Sequence, residues 1–263
     1  MKPILLVLSL LWVVLLAACS GEENSLADRY KGQSAEQIFH KAQLNLVKES
    51  FKEAVEQFEA LDTLYPFSDY EEEAQMDIIY AYYQAKEYTS ASAAAARYIH
   101  LYPTSEYVDY AYYMKGMAHY SENRGFSGKY FKIDFSQRDL ASVKQAYDDF
   151  YDLIERFPHS IYVPNAHFRM VYLRNLMADY ELNIAQYYYK NGRYLAAINR
   201  ADNVLQHYQQ APAMVQALGI LVDSYAKLKL NVLSDKAFLL LQINYPHSEV
   251  YEQLRAKRKV SAS

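Results

Sequence analysis

Apolar residues recur through most of the chain with the period of an α-helix, as in Phe51, Ala54, Val55, Phe58 and Leu61. Runs of this kind are closed by one recurring tetrapeptide: Tyr65-Pro66-Phe67-Ser68, Tyr102-Pro103-Thr104-Ser105, Phe157-Pro158-His159-Ser160 and Tyr245-Pro246-His247-Ser248. Proline cannot continue the helix before it, and the serine two residues on can cap the next one. Ser68 and Glu71 also have the spacing of a capping box. Pro66 and Pro103 are 37 residues apart, and Pro158 and Pro246 are 88 apart, which is two units with one signature lost. The lost copy is Tyr208-Gln209, since Gln209 again lies 37 residues before Pro246. Twelve residues before each proline-equivalent position stands a small side chain: Ala54, Ala91, Ala146, Ala197 or Ser234. Four residues further on stands Phe58, Ala95, Phe150, Ala201 or Phe238. Small and large residues four apart share a helix face, so the pattern predicts antiparallel helix pairs that interlock. The expected fold is all-α, with about five helix pairs, and no strand pattern competes.

Two stretches depart from the repeat. Ser121 to Gln137 is inserted between the helices of the third unit, with Phe126, Tyr130, Phe131 and Phe135 among Arg124, Lys129 and Lys132. A loop of this length in a compact array is commonly functional or disordered. Val163 to Lys190 has no Pro or Gly after Pro164, so two helices are expected to run together as one. The expected organisation is a leader at 1–18, a linker at 19–33, repeats one to three at 34–158, repeats four and five at 159–250, and a basic tail at 251–263. The tail's Arg255, Lys257, Arg258 and Lys259 suit either a solvated helix end or anionic head groups.

The N-terminus has a different pattern. After Met1-Lys2, Ile4 to Ala18 is apolar except for Ser9, too short to span a bilayer but suited to the core of a signal peptide. It ends in Leu16-Ala17-Ala18-Cys19, which resembles the lipobox of bacterial lipoproteins, where cleavage precedes a cysteine that is then lipidated. Cys19 is the only cysteine, so it has no partner for a disulfide within its own chain. Two or more acyl chains, palmitate among them, anchor a protein stably where one does not. Ser20 after the cysteine implies, by the rules of that class, passage to the outer membrane.

Composition narrows the function classes. The 263 residues carry a formal net charge of -4, which argues against nucleic acid as a partner. Tyr occurs 28 times against 7 each for Gly and Pro, a breaker-poor composition that suits packed helices. No catalytic constellation is present: the seven histidines form no H-E-x-x-H pair, and nucleophile-elbow and phosphate-loop motifs are missing. His159 and His247 occupy equivalent turn positions, which reads as a repeat feature rather than a metal site, and no cofactor is implied. Glu71-Glu72-Glu73 reads as a favourable negative first turn.

The small-x3-large-x7-Pro register resembles the second helix of the tetratricopeptide repeat, and implies a right-handed superhelical solenoid. First helices fit less closely, with Ala42 and Asn45, Ile79 and Tyr82, Ala185 and Tyr188, and Val222 and Tyr225 at the two usual positions. A more specific resemblance is carried by Ala60-Leu61-Asp62 with Tyr65-Pro66-Phe67, Ile79-Tyr80-Ala81-Tyr82-Tyr83, Asp109-Tyr110 with Tyr113-Met114-Lys115-Gly116, Phe131-Lys132-Ile133-Asp134 with Arg138-Asp139, Tyr180-Glu181 with Tyr187-Tyr188, and Asn199-Arg200. In that order they look like the BamD family, lipoprotein subunits of the outer-membrane β-barrel assembly (BAM) machine. From Gln210 onward only the period matches.

That resemblance implies a non-enzymatic scaffold, lipid-anchored through Cys19 at the periplasmic face of the cell outer membrane. Its partners would be the periplasmic domains of a BamA-like barrel subunit, other BAM lipoproteins and unfolded outer-membrane proteins. A Tyr-rich groove offers rigid aromatic surface with a polar tip, suited to an extended peptide, so Tyr80, Tyr82 and Tyr83 are the candidate groove residues; the alternative is that they belong to the core. Arg200 and Asn199, with Phe131, Asp134 and Arg138 of the insertion, are the candidate partner contacts. For Arg200 the competing reading is a surface arginine paired with Asp202 or solvent. The runner-up functions are another periplasmic repeat lipoprotein scaffolding cell-wall enzymes or division proteins, and a helical cell-wall hydrolase, for which the chain has no room for a catalytic domain.

Overall fold

The computed structural model describes residues 26–122 and 140–262, and among them every regular element is helical. In chain order these are α1 (Leu26–Arg29), α2 (Ala35–Val47), α3 (Phe51–Leu64), α4 (Glu71–Gln84), α5 (Tyr88–Leu101), α6 (Val108–Glu122), α7 (Ala141–Arg156), α8 (Val163–Lys190), α9 (Tyr194–His207), α10 (Ala213–Lys227), α11 (Asn231–Asn244) and α12 (Glu249–Ala262). The chain divides into two compact units, Met1–Ala85 and Lys86–Ser263. Within each, neighbouring helices pack in chain order, as tetratricopeptide-like pairs.

The recurring tetrapeptide makes one turn geometry five times. The aromatic residue ends its helix at φ near −130°: Tyr65 −136°, Tyr102 −126°, Phe157 −131°, Tyr208 −124° and Tyr245 −137°. Its N–H donates back into the helix, and its C=O accepts from the N–H three residues on, at 3.0–3.1 Å in all five. At Tyr208 both bonds form without proline, but Gln210 now takes a left-handed φ of 66°. The lost signature has therefore kept the turn and changed its type. Turns within a pair also use a left-handed residue, at Glu49, Lys86, Gly192 and Lys229, of which only Gly192 escapes the Cβ cost.

The capping box expected at Ser68 and Glu71 does not form. α4 begins only at Glu71, one turn beyond the serine, so the Glu71 N–H meets the Ser68 backbone carbonyl at 3.1 Å. The Ser68 hydroxyl is buried without a hydrogen-bond partner, and Glu71 accepts from Gln75 at 2.9 Å. A full capping box stands instead at the start of α2, between Ser34 and Gln37. Of the later serines, Ser248 caps α12 by accepting from the Tyr251 N–H at 3.2 Å.

The register predicted for the second helices is where the cores lie. Ala54, Ala91, Ala95, Ala146, Phe150, Ala197 and Ala201 are all fully buried, with Phe58 at 1% exposure and Ser234 at 3%. The first-helix positions Ala42, Ile79, Ala185 and Val222 are buried too. Approach can be closer still: a Cβ on Gly116 of α6 would lie 2.7 Å from the Phe150 ring of α7. α8 is one continuous 28-residue helix, as the absence of breakers predicts, with Pro164 in its first turn where the missing N–H costs nothing. α12 closes the C-terminal core with Tyr251 and Leu254.

In the first unit, Asp77 on α4 sits against Gln43 of α2 and one helical turn from Glu73. Burial pushes its carboxyl up to about 6, the Gln43 hydrogen bond opposes the shift, and the Glu73 charge adds to it. A folded-state value above the unfolded one means the fold binds the extra proton, so stability is highest at low pH and falls as pH rises from about 4 through 6. Asp77→Asn should therefore raise unfolding free energy at pH 7 by about 1–2 kcal/mol, after discounting for solvent screening. It should also flatten the profile between about pH 4 and 6. Chemical denaturation across that range checks both, and an unchanged slope would show that Asp77 titrates normally.

Candidate functional site

Most of the sequence-predicted site residues that fall among the described ones gather in two places, one in each unit. In the second, α8 and α9 pack antiparallel and bring Arg200 onto Glu181. The Arg200 Nη1 donates to both carboxylate oxygens, at 3.2 Å and 3.0 Å. Glu181 is nearly buried, with a side chain 10% exposed, whereas the Arg200 side chain is 43% exposed. The hydrogen bond to Glu181 holds the guanidinium's proton more tightly still, with burial opposing. Arg200 is thus paired across the helices with Glu181 and not with Asp202, whose carboxylate accepts instead from Gln206. The i,i+4 spacing favours that local bond, which leaves the arginine to reach across to α8.

Around this pair lies a groove of about 420 Å³ lined by Tyr188, Ala196, Asn199, Arg200, Asn203 and Gln206, with Asp202 at its wall. Asn199 is exposed there. Only Nη1 of the guanidinium is engaged by a carboxylate, so a buried acid aims the fork without using all of its donors. Chemically, this is a preorganised donor surface suited to a carboxylate or a backbone carbonyl on another chain.

In the first unit, the three tyrosines of α4 have different roles. Tyr80 is 39% exposed and meets the Phe51 ring of α3 edge-on, with centroids 6.2 Å apart. Tyr82 is half-buried, and its hydroxyl donates to Glu59 of α3. Tyr83 is half-buried and, three residues from Tyr80, shares its side of the helix. The aromatic run is therefore mixed: Tyr82 is tied to α3, Tyr80 is exposed, and Tyr83 lies half-buried beside it.

Sequence reasoning missed one charged cluster. Asp149 of α7, 2% exposed, receives Lys115 at 2.9 Å and His119 Nδ1 at 2.5 Å from α6, and Gln145 at 3.2 Å. Burial alone would raise its carboxyl, but the hydrogen bonds from His119 and Lys115 overcome that and hold it below the usual carboxylate range. The signal was present as Lys115 and His119 four apart on α6, yet sequence gives no way to pair them with one of several α7 acids. The basic tail is likewise tied down: Lys257 meets Asp223 at 2.7 Å, and Arg258 meets Asp235 at 2.7 Å while covering the Phe238 ring at 4.2 Å. Those two charges serve the packing of α12. Cys19, Phe131, Asp134 and Arg138 lie outside the described residues. Among the described residues, no group of His, Cys, Asp and Glu has the arrangement of a metal site, and no helix is long and apolar enough to cross a membrane.

Comparison with known proteins bears on these surfaces. The YfiO family, described as outer membrane lipoprotein, matches residues 31–240. The chain is 34% identical to the outer membrane protein assembly factor BamD of Neisseria meningitidis serogroup B, covering 96% of this chain and 95% of that one. It is 35% identical to the BamD of Vibrio cholerae, over 89% of this chain and 96% of the relative, and 33% identical to that of Xylella fastidiosa, over 92% and 82%. Such identity over nearly the whole length, together with the all-α repeat fold, decides the family: the chain belongs to the BamD outer-membrane lipoproteins, assembly factors rather than enzymes.

Proposed function

We propose that this protein is a lipid-anchored scaffold of the β-barrel assembly machinery at the periplasmic face of the outer membrane. In this reading it grips the periplasmic domains of a BamA-like barrel subunit with its second unit and offers its first unit to unfolded outer-membrane precursors. The observation that carries the reading is the Arg200–Glu181 pair in its groove. A nearly buried carboxylate orients a half-exposed arginine beside Asn199, with guanidinium donors left for a second acceptor. Phe131, Asp134 and Arg138 of the insertion would add to the same contact, and other BAM lipoproteins complete the assembly. Anchoring through Cys19 keeps the scaffold at the membrane where the barrels are inserted.

Tyr80 and Tyr83 are the surface this reading assigns to precursor peptides. Replacing either with Ala should weaken binding of peptides from the C-terminal strand of outer-membrane barrels several-fold, roughly 1 kcal/mol each. Tyr82→Ala should chiefly lower the melting temperature, because its hydroxyl ties α4 to Glu59. Equal peptide affinity across parent, Tyr80→Ala and Tyr83→Ala would return both rings to the core.

Cys19→Ser should yield a precursor that is neither lipidated nor processed, because serine cannot form the thioether to diacylglycerol. Fractionation of that variant with the outer membrane as efficiently as the parent would remove the anchor from the mechanism.

The buried glutamate shapes the decisive test. Arg200→Glu places a second carboxylate beside Glu181, so it should cost stability by about 1–2 kcal/mol as well as binding. Arg200→Lys is the cleaner variant, since an ammonium can keep the ion pair but cannot present a planar fork. The expected result is a melting temperature near the parent's with affinity for the barrel subunit's periplasmic domains reduced about tenfold. Titration of the soluble chain against those domains at two salt concentrations decides it; parental affinity for the Lys, Ala and Glu forms would overturn the assignment.

A further inference from the structure

The outer face of α11 differs in kind from its counterparts. Taking the buried small residue of each second helix as reference, the positions two before it and two, five and nine after it point away from the core. In α7 these are Lys144, Asp148, Tyr151 and Glu155; in α5 they are Thr89, Ala93, Ala96 and His100; in α9 they are Leu195, Asn199, Asp202 and Gln206. In α11 they are Val232, Lys236, Leu239 and Ile243. Val232, Leu239 and Ile243 are 69%, 53% and 65% exposed, and Leu233 and Leu240 beside them are 40% and 47% exposed. The opposite face of the helix is spent on the core, through Ser234, Ala237 and Leu241.

We propose that this stripe is a docking seam for one amphipathic helix of another protein, carrying an acidic residue opposite Lys236. Three observations select that occupant. The four outward positions are spaced four, three and four residues apart, the period at which one helix receives another, and a helix face offers no free strand edge to an extended peptide. A membrane surface is a poor match, because helices lying in an interface keep lysine on the polar face, whereas the only lysine of α11 stands in the middle of the apolar one. A second copy of the chain is also a poor match. Pairing two such faces in parallel sets Lys236 against Lys236. Antiparallel pairing sets each lysine against Leu239 of the other copy, with both charges near the twofold axis and no acid to meet them. Lys236 is in no ion pair among the described residues, and the neighbouring Asp235 is already held by Arg258. A lone lysine in an apolar seam sets register when the partner supplies an acid. This surface lies on a different helix from the Arg200 groove and does not depend on the reading given to that groove.

The test uses the full-length lipoprotein in the bacterium that makes it, with a photoreactive amino acid in place of Leu239 and, as a control, in place of the equivalent Tyr151 of α7. The expected result is an adduct from Leu239 that maps to a single helical segment of another protein, with an Asp or Glu within one turn of the linked residue. Lys236→Glu should then reduce adduct yield roughly tenfold, with Lys236→Arg near the parent and circular dichroism unchanged in both. Adducts only with phospholipid, with a second copy, or with residues 123–139 of the same chain would overturn the proposal. So would a yield no higher than at Tyr151, a linked segment without an acid, or indifference to Lys236→Glu.

Discussion

Close approach of helix backbones is the constraint on which the rest of this structure depends. Ala54, Ala91, Ala146 and Ala197 occupy the same register position in successive second helices, and each is wholly buried. A larger side chain there would push the pair apart and open the core it seals, so the alanine positions fix how near each helix comes to the next. Gly116 against Phe150 is the limiting case, where even a methyl group would collide with the ring. The aromatic turn residues share a φ near −130° and the same pair of backbone hydrogen bonds, so each helix hands over to the next in one geometry.

Burial of charge is the second constraint, and two of the buried acids, Asp149 and Glu181, meet it in different ways. Asp149 takes its partners from the adjoining helix, Lys115 and His119, and is closed off at 2% exposure. A carboxylate so enclosed and so fully bonded locks α6 to α7 and has little left for anything else. Among the described residues Glu181 has a single cationic partner, and that partner reaches it from the surface. Arg200 must remain in place to neutralise the buried acid, yet its remaining donors face a groove. On the proposed reading, stability and recognition rest on the same side chain, which is why a charge reversal there cannot report on binding alone.

Much of the fold was legible in the sequence because it depends on periodicity. The alternation of small and large residues, the five turns including the degenerate one at Tyr208, and the unbroken α8 all follow from spacing and from the presence or absence of proline. The capping box at Ser68 was misjudged because spacing alone does not say where a helix begins: the chain turned once more before Glu71, and the serine hydroxyl went inward. Side-chain partners were less legible. Asp202 was the near acid in sequence for Arg200, but its own helical neighbour Gln206 satisfied it, and the distant Glu181 was brought near only by the antiparallel pairing of α8 and α9. The three tyrosines of α4 could not be sorted for the same reason, since the acceptor for Tyr82 comes from another helix.

A repeat array separates what must be constant from what can vary. Inward positions are held to small and apolar side chains by the crossing geometry, and they say little about what the protein binds. Outward positions are under no such restraint, so their differences between equivalent helices carry the information about partners. By that measure α7 has a mixed, charged outer face with Lys144, Asp148, Tyr151 and Glu155, α9 is largely polar with Asn199, Asp202 and Gln206, and α11 is apolar around one lysine. A solvated surface would drift toward the same mixture everywhere, because exposed leucine and isoleucine in a contiguous stripe are an aggregation liability. Three faces of distinct chemistry on one repeated frame are what a scaffold with several different neighbours requires.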